Sequence, residues 1–75
     1  MPFFSIDGDT YNAAAVASIG IAEGDDDEQS ELYVILVGTS IKDAICYSYD
    51  TETELYEQRD RAVAAWKAAL KKLYE

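Results

Sequence analysis

The sequence predicts a single α+β domain, an antiparallel β-meander of three to four strands packed on one C-terminal α-helix. One observation is a run of six apolar or aromatic residues, 32–37, between acidic residues and Gly38. Such a run is typical of a short strand that is buried on both faces. The other observation is an apolar stripe at helical spacing in the last third of the chain. The 75-residue length suits one domain, residues 1–75, whose small core would gain stability from self-association.

The N-terminal residues predict a short hairpin and then a helical turn. Residues 3–6 are a strand candidate, and Asp7-Gly8 follows at once. This dipeptide suits a type I′ turn, which needs positive φ at both central positions. Residues 10–11 form the returning arm of the hairpin. Asn12 then precedes three alanines, which predicts one helical turn with Asn12 as its cap.

Residues 16–23 alternate with period two, which predicts a strand. One side of this strand carries Ala17, Ile19 and Ile21, and the other carries Val16, Ser18, Gly20 and Ala22. Gly20 indicates a bulge or a close approach by another backbone. A polar connector, residues 24–30, leads to the central strand at residues 31–38, so we expect the two strands to pair antiparallel.

A strand over residues 44–49 and a helix over residues 51–74 complete the predicted domain. Ile45, Tyr47 and Tyr49 share one face of that strand. Thr51 and Glu54 have the spacing of a capping box, and Glu57 and Arg61 have the spacing of a helical ion pair. The apolar stripe of the helix consists of Leu55, Ala62, Val63, Trp66, Ala69, Leu70 and Leu73.

The central strand has more apolar surface than a single helix can cover. Leu32, Val34 and Leu36 point to one side of the sheet, and Tyr33, Ile35 and Val37 point to the other. The second side must therefore be covered by the N-terminal arm, by another copy of the chain, or by a target. This uncovered side is the main functional inference that the sequence permits.

Acidic charge is concentrated in the first two thirds of the chain. The net charge is −9, and residues 1–50 carry ten acids and one base, whereas residues 51–75 carry five of each. Such a field repels nucleic acid and anionic membranes and speeds encounter with basic surfaces. Solubility alone is the other interpretation. The acidic candidates for partner binding are Asp25, Asp26, Asp27, Glu28 and Glu31.

The sequence offers no pattern for catalysis or for cofactor binding. It contains no histidine and one cysteine, Cys46, which excludes a zinc ligand set and the commonest general base. Cys46 lies in a predicted strand and is expected to be a small buried hydrophobe. Loops that begin at Asp7 or Asp25 lack the glycine and glutamate of an EF-hand, and no phosphate-binding loop is present. We expect no catalytic residue, no metal site and no cofactor.

Tyr33, Tyr47 and Tyr49 are the aromatic candidates for partner binding. Aromatic platforms for nucleic acid also need a basic groove, and Lys42 is the only base in residues 1–50. We therefore expect no direct nucleic-acid binding. A protein interface suits large amphipathic rings, and ordinary packing against the helix is the alternative.

A cytoplasmic location without membrane insertion is expected from three features of the sequence. Cys46 is unpaired, the N-terminus has no signal-peptide pattern, and no apolar run is long enough to span a membrane.

In size, acidity and sheet-plus-helix plan, the chain resembles small phage-encoded inhibitors of bacterial defence, the anti-CRISPR type. The residues that carry this resemblance are Asp25, Asp26, Asp27, Glu28 and Glu31, with Asp7, Asp9, Asp43 and Asp50. The resemblance implies binding to a basic nucleic-acid-handling protein at the surface that nucleic acid would use. It implies a host-cytoplasmic location and needs no catalytic residue.

Three functions follow as hypotheses. The first is a non-enzymatic, dimeric protein-binding module whose acidic surface engages a basic partner. The second is a small homo-oligomer that sequesters or senses a small ligand between subunits. The third is a structural or regulatory subunit of a larger complex.

Overall fold

The computed structural model describes residues 2–24 and 29–73. A two-stranded hairpin consists of β1 (Phe3–Ile6) and β2 (Asp9–Asn12), and a three-stranded sheet consists of β3 (Val16–Ala22), β4 (Glu31–Leu36) and β5 (Ile45–Ser48). Both sheets are antiparallel, and β4 is the central strand of the larger one. Helix α1 (Glu52–Leu73) closes the fold. The predicted α+β class is confirmed.

The hairpin forms where the turn residues predict it. Asp7 and Gly8 have φ values of 50° and 88°, and Ile6 pairs with Asp9 across them, as a two-residue type I′ turn requires. A single 3₁₀ turn, Ala13–Ala15, follows β2. The Asn12 side chain accepts a hydrogen bond from the Ala14 amide at 3.0 Å, so the predicted cap is confirmed.

A bulge at Ala17 corrects the predicted faces of β3. Val16 pairs with Leu36 and Ser18 pairs with Ile35, so Ala17 is an extra residue between two consecutive partners. The bulge turns Val16 to the side of Ile19 and Ile21, and this side chain is buried. The prediction that Val16 shares a face with Ser18 is therefore wrong, because strict period two holds only in an unbulged strand.

The central strand ends earlier than predicted. β4 ends at Leu36, because Gly38 has a φ of 86° and the chain turns there. Thr39 donates two hydrogen bonds to the Leu36 carbonyl, from its amide at 3.1 Å and from its hydroxyl at 2.8 Å. A second 3₁₀ turn, Ile41–Asp43, then leads into β5.

The core lies between two layers. One layer is the three-stranded sheet, whose Leu32 and Val34 are fully buried. The other layer contains the hairpin and α1, which pack beside each other. The remaining buried side chains of the core are Phe4, Ile6, Tyr11, Ala13, Val16, Leu55, Ala62 and Ala69. The N-terminal arm therefore lies on the same side of the sheet as the helix and does not cover the second face.

Helix α1 is fixed at its start and in its middle. The Thr51 hydroxyl accepts from the Glu54 amide at 3.1 Å, which is the first half of the predicted capping box. No return bond from the Glu54 carboxylate occurs among the described residues, nor does the predicted Glu57–Arg61 ion pair. Trp66 donates its indole N–H to the Ala13 carbonyl at 3.1 Å, which attaches the helix to the 3₁₀ turn.

Candidate functional site

One face of the three-stranded sheet is covered by no element among residues 2–24 and 29–73. Strand register places eight side-chain positions on it. These positions, called here the open face, are Ser18, Gly20, Ala22, Glu31, Tyr33, Ile35, Cys46 and Ser48. Each is at least partly exposed, whereas Leu32 and Val34 on the other side of β4 are fully buried.

Tyr33 lies at the centre of the open face, directly over Gly20. The two residues are cross-strand partners. A Cβ atom added to Gly20 would lie 2.6 Å from the Tyr33 hydroxyl oxygen and 2.9 Å from its Cε1 atom, which is closer than side chains approach. The outer half of the ring therefore rests on the backbone of β3. The close approach predicted at Gly20 is made by this side chain and not by a backbone, and the bulge lies at Ala17.

Glu31 lies at one end of the open face and makes that end acidic. Its carboxylate accepts a hydrogen bond from the Ser48 hydroxyl at 3.2 Å, and the two residues are cross-strand partners. Glu31 is two residues from Tyr33 along β4, so both side chains point to the same side of the sheet. The predicted residues Asp25, Asp26, Asp27 and Glu28 lie outside the described residues.

Cys46 is exposed, so the expectation that it is a buried hydrophobe is wrong. It pairs with Tyr33 across β4 and β5, and this pairing puts its thiol on the open face. Alternation along β5 buries Ile45 and Tyr47 in part and leaves Cys46 and Ser48 exposed. The sequence predicts that alternation, but it does not say which side of β5 the helix covers.

Tyr47 lies on the opposite side of the sheet from Tyr33 and packs against the core. Its hydroxyl donates to the Asp9 carboxylate at 2.8 Å and accepts from the Tyr11 hydroxyl. Burial is the main cause that raises the pKa of Tyr47 far above its ordinary value, and the hydrogen bonds with Tyr11 and Asp9 add to this rise. We call these three side chains the tyrosine clamp, because they join β2 to β5.

The tyrosine clamp has no signal in the sequence. Tyr11 and Tyr47 are separated by 36 positions, and neither belongs to a motif. Asp9 reads from the sequence as part of a hairpin turn or as one of the surface acids. Only the packing of the hairpin beneath the sheet brings these groups together.

Tyr49 borders a cleft of about 310 Å³ between the β3–β4 connector and the start of α1. Its hydroxyl oxygen is buried and has no hydrogen-bond partner in the described parts of the chain. Burial raises the pKa of Tyr49, and the nearby charges of Asp7 and Glu54 raise it further. The cleft is lined by Gly24, Gln29, Ser30, Tyr49, Asp50, Thr51, Glu52 and Leu55. Of the three aromatic residues predicted to bind a partner, Tyr33 therefore lies on the open face, whereas Tyr47 and Tyr49 lie on the helix side of the sheet.

The described residues contain neither a metal-binding cluster nor a membrane-spanning helix. Over residues 2–24 and 29–73, no group of three or more Cys, Asp or Glu side chains is arranged to hold a metal ion. None of the helical segments described is long and apolar enough to cross a membrane. No protein-family model, no curated protein and no solved structure matches the chain.

Proposed function

We propose that this chain is a non-enzymatic protein-binding module whose open face engages a partner with a basic surface. The observation that carries the proposal is the position of Tyr33 and Ile35. Both lie in the central strand of the sheet, yet neither the hairpin nor α1 covers them. An aromatic and an aliphatic side chain that stay partly exposed side by side at the centre of a sheet support an interaction surface at this place.

Charge complementarity selects the class of partner. The net charge is −9, and Glu31 is the one formal charge at the eight positions of the open face. The four acids of residues 25–28 precede Glu31 closely in the chain. A basic protein would contact uncharged surface at the centre and the Glu31 carboxylate at one end, which favours both rapid encounter and correct orientation.

The resemblance to small anti-defence inhibitors narrows the proposed partner to a nucleic-acid-handling protein. Such proteins carry basic grooves for a phosphate backbone. An acidic chain bound in that groove would exclude the nucleic acid by occupying its place. This form of inhibition requires affinity and position alone, and no catalytic group.

The test compares two variants with the same change in charge. Ser48→Lys puts a cation beside Glu31 on the open face, and Ala64→Lys puts one on the exposed side of α1. Proteins captured from a lysate are identified, purified and measured again at low and high salt, with nucleic acid as competitor. We expect Ser48→Lys to lose affinity and Ala64→Lys to keep most of it. Equal affinity of the two variants, or binding that is indifferent to salt, would contradict the proposal.

A further inference from the structure

The ring of Tyr33 is oriented before any partner arrives. Because Gly20 has no side chain, the outer half of the ring rests on the β3 backbone, with its hydroxyl oxygen 2.6 Å from the place where a Cβ would be. No described element covers the open face, so the opposite side of the ring is available to a partner. A ring that is already held flat loses little conformational freedom on binding.

We infer that Tyr33 and Glu31 form a site for an arginine side chain of the partner, with the guanidinium stacked on the ring and hydrogen-bonded to the carboxylate. This inference rests on the proposed function and specifies the chemistry of its contact. A flat guanidinium stacks on aromatic faces and donates in its own plane at the same time. A lysine ammonium is a compact, strongly hydrated charge and does this less well.

The spacing of the two side chains fits this pair of contacts. Glu31 and Tyr33 lie on one face of β4, about 7 Å apart along the strand. The Ser48 hydroxyl holds the Glu31 carboxylate at 3.2 Å. The carboxylate still has a free oxygen to accept from the guanidinium, because a carboxylate has about four acceptor positions.

Most of the positive charge of the chain lies away from this place. Five of the six basic residues belong to α1, which lies on the other side of the sheet. A cation–π contact between arginine and tyrosine already occurs within the chain, where the Arg59 guanidinium lies 5.4 Å from the centre of the Tyr56 ring. A nucleobase could also stack on Tyr33, but its phosphate backbone would meet a net charge of −9.

The experiment compares a peptide of arginines with a peptide of lysines of equal length and charge, by isothermal titration calorimetry. Because a guanidinium stacks and donates at the same time and an ammonium does this less well, we expect the arginine peptide to bind about three- to five-fold more tightly. Tyr33→Leu should remove this preference and leave the two peptides with equal, weaker affinity. Tyr56→Leu, at an exposed tyrosine of α1, should keep the preference.

Gly20→Ala tests the orientation of the ring without removing it. The added methyl group would displace the outer end of the Tyr33 side chain, which can swing away without moving the backbone. We expect the variant to fold, with a thermal transition close to that of the original chain, and to lose the arginine preference as Tyr33→Leu does.

Three results of the peptide measurement would overturn the inference. They are equal affinity of the original chain for both peptides, absence of binding to either, and a preference that survives in Tyr33→Leu. Tighter binding of a single-stranded RNA oligonucleotide than of the arginine peptide would also overturn it in favour of nucleobase stacking. The proposed function is judged separately, because the comparison of Ser48→Lys with Ala64→Lys uses a natural partner and does not depend on arginine.

Discussion

The hydroxyl of Tyr47 connects β5 to β2 by hydrogen bonds, although the two strands are far apart in sequence. It donates to Asp9 at 2.8 Å and accepts from Tyr11. Tyr47→Phe would leave the Tyr11 hydroxyl without its acceptor in a partly buried place. We expect a loss of about 1–2 kcal/mol in the free energy of unfolding, measured by denaturant titration. Tyr56→Phe on the exposed side of α1 should change it by less than about 0.5 kcal/mol.

The same variant should alter how stability depends on alkaline pH. Burial and hydrogen bonding raise the pKa of Tyr47, and burial raises that of Tyr49, whereas an unfolded tyrosine ionises near pH 10. Above that pH the folded chain keeps protons that the unfolded chain loses, so stability is complete below about pH 10 and falls above it. Tyr47→Phe should make this fall shallower. Parallel pH curves for the variant and the original chain would contradict the role given to Tyr47.

At the residue scale, the structure separates the residues that the sequence predicts to bind a partner. Glu31 and Tyr33 share the open face by alternation along β4, whereas Tyr47 and Tyr49 pack against the core. The ring of Tyr33 over Gly20 could not be predicted, because it depends on the register between two strands and on a rotamer. A shift of one residue in that register would put Gly20 opposite a different side chain.

At the scale of elements, the start of α1 depends on Thr51. Its hydroxyl accepts from the Glu54 amide at 3.1 Å, and this satisfies one of the four free amides of the first turn. Thr51→Ala should lower the free energy of unfolding by about 1 kcal/mol, measured by denaturant titration. Thr51→Ser should restore most of it. Thr53→Ala, two residues into the helix, is the matched control, and a loss there as large as at Thr51 would contradict the capping role.

Element types could be predicted because each rests on a local pattern. The hairpin follows from Asp7-Gly8, the helix from its apolar spacing, and β4 from its continuous apolar run. The residues at which elements end, and the faces that they present, were harder to predict from the sequence. The bulge at Ala17 and the end of β4 at Leu36 depend on pairing between strands and on hydrogen bonds that close a turn. Neither leaves a periodic trace in the sequence.

For the whole molecule, the decisive fact is that the hairpin and α1 share one layer. Tyr11 of the hairpin and Leu55 of α1 belong to one core with Leu32 and Val34. The sequence allows the second face of β4 to be covered by the N-terminal arm, by another copy of the chain or by a target. The structure excludes the N-terminal arm, because the arm packs on the other face. A second copy of the chain and a different partner are the two occupants that compete for the open face.

Salt distinguishes these two occupants, because it acts on them in opposite directions. Two copies that each carry a charge of −9 repel, and salt shortens the range of that repulsion from about 10 Å at 0.1 M to about 3 Å at 1 M. Binding to a basic partner should instead weaken as salt rises.

By light scattering, we expect a mass near 8.3 kDa at low salt and a higher average mass at high salt. Ile35→Asp, which adds a carboxylate to the open face, should keep the chain monomeric at high salt, whereas Ala64→Asp on α1 should not. A dimer that is stable at low salt and dissociates as salt rises would show that the copies associate through opposite charges. That result would contradict self-association of two open faces, because Glu31 is the one formal charge at their eight positions.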